Sequence, residues 1–298
     1  MGLSWGYHDP SVDEAAATDL VRYAIDHGVD HLDTADVYGP FTNESLVGRA
    51  IAGRRDRVTL ATKGGYVVDD SEAYKYHRDG RPEHIRAACD ASLRRLGVDV
   101  IDLYYLHRID PQVPLESTWD AMAGLVAAGK VRWLGISEAT VADLERVWRI
   151  HAVTAVQSEL SLWTRDYLPE VVPWCRAHGA SFVAFSPLGR GFLTGAIGAE
   201  ARFGPGDFRS RLPRFRPEAV AENQKLVERV RAVAVRRGAT AAQVALAWVL
   251  AQGDHVLAIP GTQRRKYLDQ NVAAGELGLT AEDLAELDAL PAPAGGRY

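Results

Sequence analysis

The sequence has only two cysteines, Cys89 and Cys175, far apart and without any CxxC pair. So few thiols argue against a disulfide framework and suit a reducing, cytoplasmic setting. Both read as small buried hydrophobes, not nucleophiles. No run of eighteen apolar residues occurs, so no transmembrane helix is expected. The opening MGLSWGYHDP has neither a basic head nor an apolar stretch, so no signal peptide is expected. Positive charge is not in excess: net charge is −5 and the pI about 6.0, which argues against nucleic acid or an anionic membrane as partner. Low complexity, short-period repeats and interdomain linkers are lacking too, and residues 1–298 are expected to form a single domain. What is present is a globular balance, 47% hydrophobic and 24% charged, enough for a sizeable core.

Along the chain, apolar runs of strand length alternate with amphipathic runs of helix length. The pattern predicts strands at 31–36, 58–63, 101–107, 131–137, 155–160, 181–186 and 255–260, most of them followed by a helix. Glycines after several helices, among them Gly28, Gly97 and Gly129, are C-terminal stops. Strand-then-helix order predicts a parallel sheet with helices outside. A closed (β/α)8 TIM barrel needs eight strands, and seven are visible. The chain opens with a loop and a helix that have no strand before them, so strand one is expected to be missing. A doubly wound sheet would accommodate seven strands, but its phosphate fingerprint is absent. GRGFLTG has GxGxxxG spacing and runs into a Gly/Pro-rich loop instead of a helix. That loop, Thr194 to Arg216, carries five arginines from Arg202 onward and reads either as a lid or as a solvated surface segment.

Strand residues alternate faces, so parity shows which side chains look inward together. His31, Asp33 and Ala35 share a face, as do Thr59, Ala61 and Lys63, and also Leu103, Tyr105 and His107. Three consecutive strands therefore carry Asp33, Lys63 and His107 at their C-terminal ends, the edge where parallel α/β folds bind ligands. A carboxylate among apolar neighbours needs a cation, and Lys63 supplies it. Tyr38, in the turn after Asp33, lies over the same mouth. An ammonium close by favours the tyrosinate, so Lys63 is expected to lower the Tyr38 pKa and make it a general acid usable near neutral pH. His107 would bind or relay a proton to a substrate oxygen. The set suits protonation of an alkoxide formed when hydride reaches a carbonyl. Taken singly, each residue has a structural explanation: an ion pair, a core histidine, a turn aromatic. Their coincidence on successive strand ends favours chemistry.

The motifs HLDTADVYG, LATKGG, DLYYLHRID, GISE, VQSELSLW, FSPLGRGFLTG and IPGTQRRKYLDQNV resemble those of the aldo-keto reductase family, over essentially the whole chain. The resemblance implies a (β/α)8 barrel that binds NADP(H) without a Rossmann domain. It implies Tyr38 as proton donor, supported by Asp33, Lys63 and His107. By the same resemblance, Ser137 and Gln157 would hold the nicotinamide carboxamide, although Glu138 stands where many members have Asn. Phe185 would stack on the nicotinamide ring. Ser186, Leu188, Gly189 and Gly191 would meet the pyrophosphate. Gly261, Thr262 and Arg264 would take the 2′-phosphate, with Gln270 and Asn271 near the adenine. Trp5, Tyr7, Arg108 and Trp163 are candidates for the substrate pocket wall.

The expected function is NADP(H)-dependent reduction of a small aldehyde or ketone. A cofactor-binding regulatory protein with little turnover is the alternative. A Schiff-base aldolase using Lys63 is a third reading, and Asp33 argues against it, since that chemistry needs a lysine of low pKa.

Overall fold

The computed structural model describes residues 2–3, 13–70, 75–204 and 206–298. Trp5 and Tyr7, two of the pocket candidates, lie outside the described residues. In chain order the elements are α1 (Glu14–Asp26), β1 (His31–Asp33), α2 (Thr42–Ile51), β2 (Thr59–Gly64), β3 (Tyr66–Asp70), β4 (Lys75–Arg78), α3 (Pro82–Leu96), β5 (Ile101–Leu106), α4 (Leu115–Ala127) and β6 (Val131–Ser137). They continue with α5 (Val141–Trp148), β7 (Ala155–Glu159), α6 (Val171–Ala177), β8 (Ser181–Phe185), α7 (Pro217–Arg237), α8 (Ala241–Leu250), β9 (Val256–Ala258), α9 (Arg265–Ala273) and α10 (Ala281–Asp288). Backbone hydrogen bonds order seven strands as β1-β2-β5-β6-β7-β8-β9. The pairs β1–β2, β2–β5, β5–β6 and β6–β7 are parallel. This is the strand-and-helix alternation of the (β/α)8 barrel, with seven of its eight strands among the described residues.

Two strands were not anticipated. β3 and β4 form an antiparallel hairpin outside the main sheet, where the sequence reading had only a loop. β1 is also shorter than expected. Beyond Asp33, the Thr34 and Asp36 N–H groups still bond the Ala61 and Lys63 carbonyls of β2, and the chain then turns: the Tyr38 N–H bonds the Ala35 carbonyl, and the Phe41 N–H bonds the Asp36 carbonyl. That turn is what carries Tyr38 back over the strand end.

Cα proximity divides the chain into two compact units, Met1–Ser158 with Pro173–Phe182, and Glu159–Val172 with Val183–Tyr298. In the first unit the register aligns Lys63 with Tyr105, and Tyr105 with Gly135. Gly135 is dictated by that neighbour. A Cβ there would lie 2.4 Å from the Tyr105 ring, so only glycine admits the tyrosine beneath the Lys63 layer. Tyr104, Tyr105, Trp119 and Ile101 are fully buried, each side chain worth roughly 1.5–3 kcal/mol of transfer free energy. Trp119 keeps its polar end satisfied by donating to the His151 carbonyl at 3.1 Å.

The second unit packs α7 and α8 around their own apolar faces. Seven of the eight residues from Ala242 to Val249 are buried, so α8 is a core helix, and Trp248 donates to Asp288 at 2.8 Å. A capping box at Thr240 and Gln243 starts α8, and another at Thr280 and Asp283 starts α10. Cys89 and Cys175, both in the first unit, are buried free thiols, each pushed up by desolvation to about 12. They are inert at neutral pH, as the sequence suggested.

Candidate active site

Lys63 is fully buried, and its ammonium donates to Asp33 Oδ1 and, at 2.8 Å, to the Thr34 carbonyl. The cation sought for Asp33 is therefore the one on the neighbouring strand. Desolvation pulls the lysine pKa down, but the Asp33 charge and then Tyr38 outweigh it, so the net shift is upward and the ammonium stays charged. A lysine held protonated beside Asp33 does not suit Schiff-base chemistry, which argues against the aldolase reading.

The Lys63 nitrogen lies 5.3 Å from the centre of the Tyr38 ring, and the rings of Tyr38 and His107 meet edge-on at 5.8 Å. The expected acidification of Tyr38 is corrected here. Burial raises its pKa above 10.0; Lys63 and Arg108 pull it down, Asp33 pushes it up, and the net shift is upward. The phenol thus stays protonated through neutral pH, the form a proton donor requires. His107 is held neutral: desolvation first, then the charges of Arg108 and Lys63, drive its pKa well below 6.5. Its Nδ1 is buried with no hydrogen-bond partner among the described residues.

Gln157 donates from Nε2 to Asp33 Oδ2 at 2.8 Å. Ser137 is aligned with Gln157 across β6–β7, and its hydroxyl accepts from Arg108 Nη1 at 2.9 Å. Arg108 also reaches the His107 carbonyl at 2.6 Å. The first unit thus brings together Asp33, Tyr38, Lys63, His107, Arg108, Ser137 and Gln157. Glu138 sits at φ 59 with its N–H on the Gln157 carbonyl. That left-handed conformation is uncommon for a glutamate, and one asparagine tolerates more readily.

The hairpin adds residues that the sequence reading missed. Tyr66 meets His107 edge-on at 5.0 Å and Tyr76 at the same distance. These two aromatics form a wall beside His107. The aromatic and β-branched run Tyr66–Val68 was the available signal, masked by the preceding Gly64–Gly65.

In the second unit, Phe185 ends β8 and the chain turns sharply after it. Ser186, Gly189, Arg190 and Gly191 all have positive φ, at 50, 55, 54 and 91 degrees. Successive left-handed residues turn backbone N–H groups to one side, a concavity suited to phosphate oxygens. Leu188 lies within this turn and accepts from the Gly191 N–H at 3.0 Å. Trp163 does not present a free wall. It is 2% exposed, stacked on Phe192 at 4.9 Å, with its indole beneath Gly189. Arg214, from the loop read as either a lid or a solvated segment, is buried as well and donates to Thr164 at 2.6 Å. Gly261, Thr262 and Arg264 lead into α9, whose start has no side-chain cap. The Arg264 N–H bonds the Thr262 hydroxyl at 3.2 Å. Helix N–H groups beside Arg264, Arg265 and Lys266 suit a dianionic phosphate. Gln270 and Asn271 are half-buried on α9. The left-handed turn and the uncapped basic helix start together fit a phosphorylated dinucleotide.

Residues 1–292 match the model of the aldo/keto reductase family. Among solved structures, the glycerol dehydrogenase of Gluconobacter oxydans is similar with a TM-score of 0.84 and 29% identity, covering 96% of this chain and 88% of its own. An aldo/keto reductase from Klebsiella pneumoniae in complex with NADP and acetate is similar with a TM-score of 0.72 and 31% identity, covering 99% of this chain and 92% of its own. A further Klebsiella pneumoniae aldo-keto reductase structure, in complex with NADPH, gives a TM-score of 0.73 at 31% identity, over 97% of this chain and 90% of that one. With the buried Asp33–Lys63 pair beneath Tyr38 and a family match over nearly the whole sequence, the chain belongs to the aldo/keto reductase family.

Proposed function

We propose that this chain reduces an aldehyde or ketone to an alcohol with NADP(H), and that Tyr38 is its proton donor. The observation that carries the reading is Tyr38 beside a permanently charged Lys63 and a neutral His107. When bound, NADPH supplies the hydride to the carbonyl carbon. The Tyr38 hydroxyl gives its proton to the carbonyl oxygen as negative charge grows there. Lys63 stabilises the phenolate left behind, and Asp33 holds Lys63 in place. His107, neutral, offers a hydrogen bond that orients the carbonyl.

Ser137 and Gln157 are proposed to hold the nicotinamide carboxamide, and Phe185 to stack on its ring. Ser186, Leu188, Gly189 and Gly191 would take the pyrophosphate. Gly261, Thr262 and Arg264 would take the 2′-phosphate, with Gln270 and Asn271 at the adenine. The basic start of α9 supports NADP over NAD. On the substrate side, Arg108, Tyr66 and Tyr76 are the proposed pocket residues, since Arg108 bonds Ser137, Tyr66 meets the His107 ring, and Tyr76 packs on Tyr66. The family match, running over residues 1–292, supports one barrel domain. Among the described residues no helix is long and apolar enough to cross a membrane. Two buried reduced thiols support a cytoplasmic home.

The test is NADPH oxidation, followed by absorbance, with a panel of aldehydes and ketones. Turnover that Tyr38→Phe abolishes supports the reading. NADPH binding without turnover of any carbonyl overturns it.

A further inference from the structure

Glu159 closes β7 with its carboxylate fully buried, and its partners come from three stretches of the second unit. Thr164 donates its hydroxyl to Oε1 at 3.0 Å. Arg190 donates from Nη2 to Oε2 at 3.0 Å, and Arg297 donates from Nε to the same oxygen at 2.8 Å. A buried carboxylate persists only where its charge and lone pairs are met, and two guanidiniums meet this one. Both are largely out of water, with side-chain exposures of 4% for Arg190 and 15% for Arg297. The Tyr298 ring lies against both, at 5.4 and 4.9 Å from their guanidinium carbons. Charge, burial and stacking make one cluster of five side chains.

Each arginine leads to a part of the site assigned to the cofactor. Arg190 stands inside the 186–191 turn with φ 54, a conformation that a branched-chain-free but non-glycine residue holds only when its surroundings impose it. The Glu159 pair supplies that constraint from below. The Arg297 guanidinium lies over the Phe185 ring, 5.6 Å from its centre. Glu159 is therefore tied to the phosphate-turn backbone through one guanidinium and to the nicotinamide-stacking ring through the other.

We propose that Glu159 is a positioning residue for the cofactor: through Arg190 it keeps the 186–191 turn in its left-handed form, and through Arg297 it fixes Phe185. This rests on the reading that Phe185 and the turn after it receive NADP(H). A purely structural ion pair would change stability alone. A positioning residue changes NADPH affinity in protein that remains folded.

The experiment uses the full chain with Glu159→Gln, Arg297→Ala and Arg297→Lys, titrated with NADPH by protein fluorescence quenching and assayed for KM and kcat. Glu159→Gln is expected to weaken NADPH by about tenfold to a hundredfold, the range for lost charged hydrogen bonds, and to raise the NADPH KM more than it lowers kcat. Arg297→Ala is expected to do the same in part, and Arg297→Lys to recover some of it. Wild-type NADPH affinity in folded Glu159→Gln overturns the proposal. Should Glu159→Gln not fold, wild-type affinity in both Arg297 variants overturns it instead. Failure of the unsubstituted protein to bind NADPH would strike the cofactor reading itself, and this inference with it.

Discussion

Gln157 donates to the Asp33 carboxylate at 2.8 Å, joining β7 to the end of β1 through one side-chain bond. Asp33 therefore has one oxygen on Lys63 and the other on Gln157. The acid that holds Lys63 also holds the amide proposed to read the nicotinamide. A change at Gln157 is expected to disturb both ends: Gln157→Ala should raise the NADPH KM and lower kcat together. A loss confined to KM would separate the two roles.

Tyr38→Phe should reduce carbonyl turnover by about a hundredfold to ten-thousandfold, the usual share of a general acid, while NADPH still quenches protein fluorescence. The pH profile is a second check. Because burial holds the Tyr38 pKa above 10.0, reduction should stay flat through neutral pH and fall only in the alkaline range. A basic limb near pH 7 would assign the proton to another group.

Lys63→Met leaves Asp33 as a charge without its cation, largely out of water. Breaking a buried pair from one side costs about 3–5 kcal/mol, so its urea midpoint should drop sharply. The double variant Lys63→Met with Asp33→Asn removes both charges and should regain much of that loss. If the double variant is no more stable than the single one, burial of the lone carboxylate is not the cause.

Asp36 gives a stability signal independent of activity. Desolvation, and then the Glu44 charge, raise its carboxyl to about 8, while the Val37 N–H opposes them at 2.6 Å. Folding thus favours its neutral form. The stabilising contribution is complete below the ordinary value of 3.8 and is lost as pH rises through about 8. The urea midpoint of the wild type should fall as pH rises over that window, and Asp36→Asn should lack this component. Identical pH dependence in the two proteins refutes the assignment.

Arg264→Ala should weaken NADPH more than NADH, by about tenfold if one charged hydrogen bond to the 2′-phosphate is lost. Equal losses with both dinucleotides would mean that Arg264 does not meet that phosphate.

Much of the site was legible because strand parity is rigid. Once 58–63 and 101–107 were read as neighbouring strands, the period of two put Lys63, Tyr105 and His107 on inward faces, while the register that aligns Lys63 with Tyr105 came only from the structure. The Asp33–Lys63 pair followed from the cost of an unpaired buried acid. What sequence did not reveal depended on balances and long-range contacts. The net pKa of Tyr38 is a contest between desolvation and two cations, and only coordinates weigh it. Trp163 looked like a pocket aromatic, but its burial comes from Phe192, Phe215 and Gly189, all distant in sequence. The Glu159 cluster draws Arg297 from 138 positions away, beyond any local pattern.

The sealed sulfhydryls have a practical side. Cys89 and Cys175 are the chain's two cysteines, both 0% exposed, and neither ionises readily. A maleimide dye would pass both by. A cysteine introduced on the β3–β4 hairpin would then be the single labelling point, and a fluorophore there would report on ligand arrival beside Tyr66 without any prior thiol removal.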